Sequence, residues 1–428
     1  MDLVQPQDGL RAVPSAHSRE GKLNPDVFHA YDIRGVYGTD FDDQFARELA
    51  NKIVTHFGAR TVLVARDGRP SSEGLERLVT HGVTQAGADV ISIGLSTTPL
   101  FYYSVIAAKA DLGIMITASH NPAQYNGFKV IKADGTLVGG APLKKVHGEE
   151  YLVTNGSGTI TQANTSEDYL RQVVAMGGAE PLGMTLSVNA PPLMEPHLQT
   201  LAQQYGITFD RQAALHVHMD PDADRISFHE GGAKIAADFV CALLADTLGA
   251  KTVVHDLRFS RSVLEHWKSK GIRSVSSRVG RLNIAMAMRE NDAEVGGETS
   301  GHFYFKPFHY LESPEVALLL VLRAVKATGQ SLTDLTNMYR KYAKGEEVTI
   351  EGKERWFELR ERLRKAFPDG NVTESDGMTV EYLEPDGTLS WWCNLRPSNT
   401  EPVMRLIVEA KNKDLLDEKV SELRYLLG

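Results

Sequence analysis

The chain has 428 residues, 42% of them apolar and 24% charged, enough to bury a large core divided among three or four domains. A formal net charge of −9 excludes a general nucleic-acid binder, so any bound anion must be held by a local cluster of bases. The two cysteines, Cys241 and Cys393, lie far apart without histidines at ligand spacing, which excludes a disulfide framework and a zinc site. The longest apolar stretch, VALLLVLRAV from Val316, is too short to span a bilayer and carries Arg323. No basic-then-apolar leader opens the chain, so neither nucleic acid nor membrane is an expected partner and a reducing cytoplasm is the expected compartment.

Residues 1–24 are polar and aperiodic and read as a flexible extension. From Thr61 an alternation begins: TVLVARD as a buried strand, SSEGLERLVTHGVTQAG as a helix ending in glycine, ADVISIG as a strand, TPLFYYSVIAAKA as a helix, LGIMITA as a strand. Residues 25–153 form this first domain, and the polar stretch TNGSGTITQANTSED (154–168) reads as the boundary after it. A second domain, 154–235, has TLSVNA, the helix MEPHLQTLAQQYG and the strand LHVHMD; a third, 236–344, repeats strand and helix from DFVCALLADTLG to AEVGGE and closes with two helical stretches. From about Gly345 the texture changes to one helix, strands around the PDG turn, MRLIVEA and a closing helix, giving a fourth domain, 345–428, of antiparallel sheet with helices on one side. The expected fold is therefore α/β, with three mixed, mostly parallel sheet domains and a C-terminal α+β domain around a central cleft.

Each of the three similar domains ends a strand on an unusual polar loop, and the fourth carries a further polar loop. TASHNPAQYNGFK puts Ser119 at the carboxyl end of an apolar strand, where a sheet offers its ligands. DPDADR places carboxylates at 220, 222 and 224, hard oxygen ligands that suit a magnesium ion; the same acids also suit a solvated turn, and the glycine and distal glutamate of an EF-hand are absent. In GGETSGH, glycines let backbone approach a small ligand, Glu298 and Ser300 can clamp sugar hydroxyls and His302 can move a proton, although a glycine-rich hairpin with a buried histidine reads as well. RPSNTEPVMR surrounds a tight turn with two arginines, two hydroxyls and an amide, donors for a phosphate, or else simply breaks a sheet. Arg34 and Lys129 add two cations beside glycines; His216 and His218 share one strand face with no third ligand evident, which suits packing.

Together AYDIRG, TASHNP, DPDADR, GGETSGH and RPSNTEP, in this order across the chain from about Asn24, resemble the α-D-phosphohexomutase family, most closely its bacterial phosphomannomutase/phosphoglucomutase branch. The resemblance implies an isomerase that interconverts hexose 1-phosphate and hexose 6-phosphate, mannose or glucose, through a phosphoserine and a hexose 1,6-bisphosphate that also serves as activator. It implies Ser119 as the phosphoserine and Asp220, Asp222 and Asp224, with Ser119, as ligands of Mg2+. Arg34, Lys129, Arg225 and His302 would serve the transfer, Glu298 and Ser300 the sugar, and Arg396, Ser398, Asn399, Thr400 and Arg405 the distal phosphate. Sugar phosphates would be the partners of a monomer or dimer. Three departures stand out: the second domain is short between SVNA and HVHMD, and Arg258 and Arg281, expected near the sugar, stand where the branch commonly has a lysine and a histidine. A phosphoglucosamine mutase, whose branch usually has Gln at the place of Thr299, a divergent member that only binds sugar phosphate, and a metal-dependent phosphatase are the alternatives.

Overall fold

The strand TVLVAR (Thr61–Arg66, β2) is apolar without interruption because both of its faces are covered. Val62 and Val64 pack under the helices Asp43–Phe57 and Ser72–Gln85, while Leu63 and Ala65 face the helix Thr98–Ala107 on the other side. The structure, a computed structural model, describes residues 23–149, 157–398 and 401–428. In chain order the first sheet contains β1 (Ile33–Val36), β2, β3 (Asp89–Leu95), β4 (Leu112–Ile116), β5 (Tyr125–Lys132), β6 (Leu137–Val138) and β7 (Ile160–Gln162). They are arranged β1-β5-β4-β2-β3-β7, with β6 on β5, and β2, β3, β4 and β7 run parallel. The helix Asp43–Phe57 precedes the alternation read from the sequence; Asp42 caps its first turn and Gly58, left-handed, closes it. Ile160–Gln162 comes from the polar stretch read as a boundary, so the first sheet draws an edge strand from it.

The second sheet is β8 (Thr185–Asn189), β9 (Thr208–Phe209), β10 (Leu215–Met219), β11 (Ile226–Glu230) and β12 (Ala233–Lys234), ordered β12-β11-β10-β8-β9. The segment after SVNA supplies the helix Glu195–Tyr205 and the two-residue edge strand β9. Strand β10 alternates buried and exposed, and His216 and His218 stand on its solvent side. Packing, expected for these two histidines, is not their role; they face outward because Leu215, Val217 and Met219 take the covered face. The third sheet is β13 (Thr252–Asp256), β14 (Arg273–Ser277), β15 (Val295–Gly297), β16 (Phe303–Phe305) and β17 (Leu311–Glu312), ordered β14-β13-β15-β16-β17. Its first three members by position are parallel and the last two pairings antiparallel.

The apolar stretch from Val316 forms the helix Pro314–Thr328, which packs on the helices Ser166–Gly177 and Ala237–Leu248 and unites the second and third units in one hydrophobic core. No helix among the described residues is long and apolar enough to cross a membrane. The fourth unit is antiparallel throughout: β18 (Ala343–Lys344), β19 (Val348–Glu351), β20 (Asn371–Thr373), β21 (Met378–Leu383), β22 (Leu389–Pro397) and β23 (Val403–Ala410), ordered β18-β23-β22-β21-β20 with β19 on β23. The helices Trp356–Ala366 and Lys413–Leu427 bury Leu359, Leu363, Leu416 and Leu423 against one face of this sheet. The other face turns to the third unit, where Glu409 accepts from the Arg261 backbone N–H at 2.9 Å. Three mixed α/β units and one α+β unit thus enclose the loops picked out from the sequence.

Candidate active site

Ser119 follows β4 by three residues in a left-handed conformation, φ 52°, which a non-glycine residue adopts only when its surroundings hold it there. Its N–H donates to Thr117 Oγ1 at 2.9 Å. Arg69 grips the loop from below: its guanidinium donates to the carbonyls of Ser119 (2.5 Å), Asn121 (2.7 Å), Pro122 (2.7 Å) and Tyr125 (3.1 Å), and Asp67 orients it through Nε at 2.9 Å. The Ser119 hydroxyl is fully buried and donates to Asp222 Oδ1 at 3.0 Å, across the junction of the first and second units.

The turn after β10 brings one carboxylate oxygen each of Asp220, Asp222 and Asp224 within 4.8 Å of one another. Lys129, on β5, bridges Asp222 Oδ2 (2.5 Å) and Asp224 Oδ2 (2.9 Å); Arg281 also reaches Asp224. Burial alone would raise all three carboxyls, but Lys129 and Arg281 hold Asp222 and Asp224 below the usual range. Asp220 stands on the other side of that balance: burial and its two carboxylate neighbours push it well above. Among the described residues Asp220 Oδ2 is buried without a hydrogen-bond donor, Arg225 Nε being 3.7 Å away. Three hard oxygen donors, one of them unpartnered, fit a divalent cation. A second set of three groups, Asp224, His302 and Glu312, shares Asp224 with the first.

Glu298 follows β15 and is 2% exposed; Tyr304 donates to its Oε1 at 2.5 Å and the Gly280 N–H to its Oε2 at 3.0 Å. His302 Nδ1 lies 2.8 Å from Ser300 Oγ, and its Nε2 is 3.3 Å from Asp224 Oδ1, so the third-unit loop touches the acids of the second. Thr299 turns to Asp256 instead: its N–H and hydroxyl both donate to Asp256 Oδ2, at 2.8 and 3.1 Å. Asp256 in turn forks to Arg258 (2.7 and 3.2 Å). Burial opposes its ionisation, but Arg258 and the backbone N–H donors hold Asp256 at about 2. Arg258 Nη1 then meets Glu347 Oε2 at 3.3 Å, and Glu347 meets Arg396 (3.3 Å) and Arg405 (3.7 Å) of the fourth unit. One continuous polar network therefore runs from Ser119 through the acids and the GGETSGH loop to the two arginines of RPSNTEPVMR.

Of the residues singled out from the sequence, Ser119, Lys129, Asp220, Asp222, Asp224, Arg225, His302, Glu298, Ser300, Arg258, Arg396 and Arg405 meet along this network. Arg34 forks to Asp32, at 2.8 Å twice, and donates to Asn121 Oδ1 at 3.1 Å behind the serine loop. Arg281 joins the same network at the acids; its guanidinium is buried against Asp224, Tyr102 (2.7 Å) and Glu312 (3.3 Å). Ser398 is buried and accepts from the Glu401 N–H at 3.2 Å, whereas Asn399 and Thr400 lie outside the described residues. Sequence reasoning missed Arg69, Tyr304, Glu347 and Thr98, whose hydroxyl donates to Asp222 Oδ2 at 3.0 Å. Arg69 had a signal, the RDGRP loop ending β2 at the same sheet edge as Ser119. Glu347, in a run of two glutamates, had none.

A buried serine against an acidic cluster, joined to a cradle of arginines across four α/β and α+β units, defines an enzyme of phosphoryl transfer on an anionic substrate. Family models named phosphoglucomutase/phosphomannomutase match residues 25–149 (alpha/beta/alpha domain I), 232–342 (alpha/beta/alpha domain III) and 347–424 (C-terminal domain). A phosphomannomutase of Methanocaldococcus jannaschii is 31% identical over 450 residues, spanning 94% of this chain and 97% of that protein. A phosphoglucosamine mutase of Thermoanaerobacter pseudethanolicus is 27% identical over 460 residues, spanning 94% and 98%. The crystal structure of a phosphoglucomutase/phosphomannomutase family protein from Burkholderia thailandensis superposes with a TM-score of 0.81 at 24% identity, over 95% of this chain and 97% of that one. The chain belongs to the phosphoglucomutase/phosphomannomutase family, the α-D-phosphohexomutases, and is a hexose-phosphate mutase, an isomerase.

Proposed function

We propose that Ser119 carries the phosphoryl group exchanged with substrate, so that hexose 1-phosphate and hexose 6-phosphate, of mannose or glucose, interconvert through a hexose 1,6-bisphosphate. The observation that carries this reading is the Ser119 hydroxyl, buried and 3.0 Å from Asp222 within the acidic cluster. In the forward direction the bond from phosphorus to Ser119 Oγ breaks while a bond to the free sugar hydroxyl forms; Oγ keeps the bonding electron pair and takes up a proton from solvent, which restores the hydroxyl that donates to Asp222. That hydroxyl's proton goes to His302 Nε2, a buried ring nitrogen with no hydrogen-bond partner among the described residues. Asp220, Asp222, Asp224 and the phosphorylated Ser119 would hold Mg2+, which would neutralise charge on the phosphoryl oxygens.

Lys129 remains a fixed positive charge, since Asp222 and Asp224 more than offset the burial that would neutralise it, and it stands where charge develops in the transfer. Arg34 and Arg225 add cations at the rim of the serine loop. Glu298 and Ser300 hold two sugar hydroxyls in either orientation, because the bisphosphate turns end over end before its other phosphate returns to Ser119. Arg258, Arg396, Arg405 and the Ser398 loop with Asn399 and Thr400 hold the phosphate that is not reacting. Such substrates are multiply charged and do not cross bilayers, which supports a cytoplasmic enzyme. A hexose 1,6-bisphosphate serves as activator by phosphorylating Ser119.

The test is intact mass after incubation with glucose 1,6-bisphosphate and Mg2+, followed by turnover of mannose 1-phosphate and glucose 1-phosphate. The wild type should gain one phosphoryl group and isomerise both sugars without releasing free phosphate. Ser119→Ala should gain no phosphoryl group and convert neither sugar at an unchanged unfolding midpoint. Turnover by that variant would remove Ser119 from the mechanism; release of free phosphate would make the chain a phosphatase, and binding without either reaction a sugar-phosphate binding protein.

A further inference from the structure

Glu347 occupies the middle of the arginine cradle. Its Oε2 is shared at 3.3 Å between Arg258, from the third unit, and Arg396, from the fourth, and its Oε1 is 3.7 Å from Arg405. One carboxylate thus stands among three guanidiniums, with long single contacts in place of the short paired bonds that an arginine makes to a well-placed oxyanion. The cradle is under-filled: Arg396 is 6% exposed and, among the described residues, its Nε has no acceptor. Burial and the nearby Arg258 charge both weigh against the Arg396 cation. Arg258 is anchored independently by Asp256 and Arg405 by Glu401 and Thr349, so these two arginines have other supports when Glu347 leaves. Glu347 lies between β18 and β19, two residues after Gly345, and its side chain is 28% exposed.

We infer that Glu347 is an internal competitor for the substrate's non-reacting phosphate: the phosphate displaces it from between Arg258 and Arg396, and its return eases the phosphate out again. The inference rests on the mutase reading. A phosphate dianion carries more charge and more oxygens than one carboxylate, so it wins the cradle when present. A bisphosphate that must let go, turn and rebind by its other end is better served by a cradle with a built-in rival than by three unopposed arginines. Glu347 is on this account a positioning residue that sets how firmly, and for how long, the distal phosphate is held.

The test compares wild type, Glu347→Gln and Glu347→Asp for affinity toward inorganic phosphate, by calorimetry on the resting protein, and for KM and kcat with glucose 1-phosphate and activator. Glu347→Gln should bind inorganic phosphate about tenfold more tightly, since one negative charge is gone from the cradle. Its KM and kcat should fall together as the bisphosphate is retained. Glu347→Asp, which keeps the charge but draws it back, should show smaller shifts of the same sign. If the glutamate only props up the arginines, both variants bind phosphate less tightly and KM rises; that result, or an unchanged phosphate affinity, overturns the inference. Tighter phosphate binding by a Glu347→Gln protein whose wild type turns over no hexose phosphate would uphold the competitor and reject the mutase reading.

Discussion

Removing Arg69 should cripple the serine loop without touching the proposed sugar or phosphate contacts. Its guanidinium makes four bonds to the carbonyls of residues 119, 121, 122 and 125, and Ser119 is held at φ 52°. Hydrogen bonds from a charged donor contribute about 1.5–3 kcal/mol each, and a left-handed non-glycine residue costs about 1 kcal/mol. That range is already net of exchange with water, and four bonds from one guanidinium are not additive, so a net loss of about 3 kcal/mol in holding Ser119 on the acids is a working figure, or about 100-fold in rate. We expect Arg69→Met to lower kcat and the rate of Ser119 phosphorylation by glucose 1,6-bisphosphate by that factor. KM should stay within about threefold, because uniform binding is left intact. Arg69→Lys offers a single ammonium without a fork and should fall between the two, and methylguanidinium should partly restore Arg69→Ala. A kcat within about threefold of wild type in Arg69→Met, or a loss that only follows a lower unfolding midpoint and is not rescued by methylguanidinium, would refute the reasoning.

Two further outcomes follow from the site. Glu298→Ala leaves the Tyr304 hydroxyl and the Gly280 N–H without their acceptor and removes the proposed sugar clamp; KM should rise about tenfold or more while intact mass still shows phosphorylated Ser119, and unaltered sugar kinetics would contradict the assignment. Asp256, held at about 2 by Arg258 against its burial, contributes stability that is complete above its unfolded value and is lost as pH falls through the folded one. Denaturant unfolding should therefore show wild type losing about 2 kcal/mol more than Asp256→Asn between about pH 4 and pH 2, and parallel pH curves would exclude the Arg258–Asp256 pair as the cause.

Much of this architecture was legible from local pattern. TVLVAR reads as a two-faced buried strand because no polar residue interrupts it, and the helix 72–85 because apolar positions recur at helical spacing before glycine. The helix Asp43–Phe57 escaped notice although Asp42 and Gly58 bracket it as caps. Ile160–Gln162 was hidden by a boundary-like composition, since an exposed edge strand needs only backbone partners. His216 and His218 alternate as a strand requires, but which side of a strand is covered depends on helices elsewhere in the chain.

By itself the sequence determined the kinds of chemistry and their order along the chain: a hydroxyl, three acids, a glutamate among glycines and two arginines, each set at the end of a strand. Only the tertiary structure decided what each side chain faces. Arg281 turns into the acids 57 residues away, Arg69 reaches under a loop 50 residues downstream, and Glu347 settles among arginines contributed by two units. Such partners are chosen by packing between distant segments, where a charge takes the nearest counter-charge that burial leaves it, and a one-dimensional pattern carries no record of that distance.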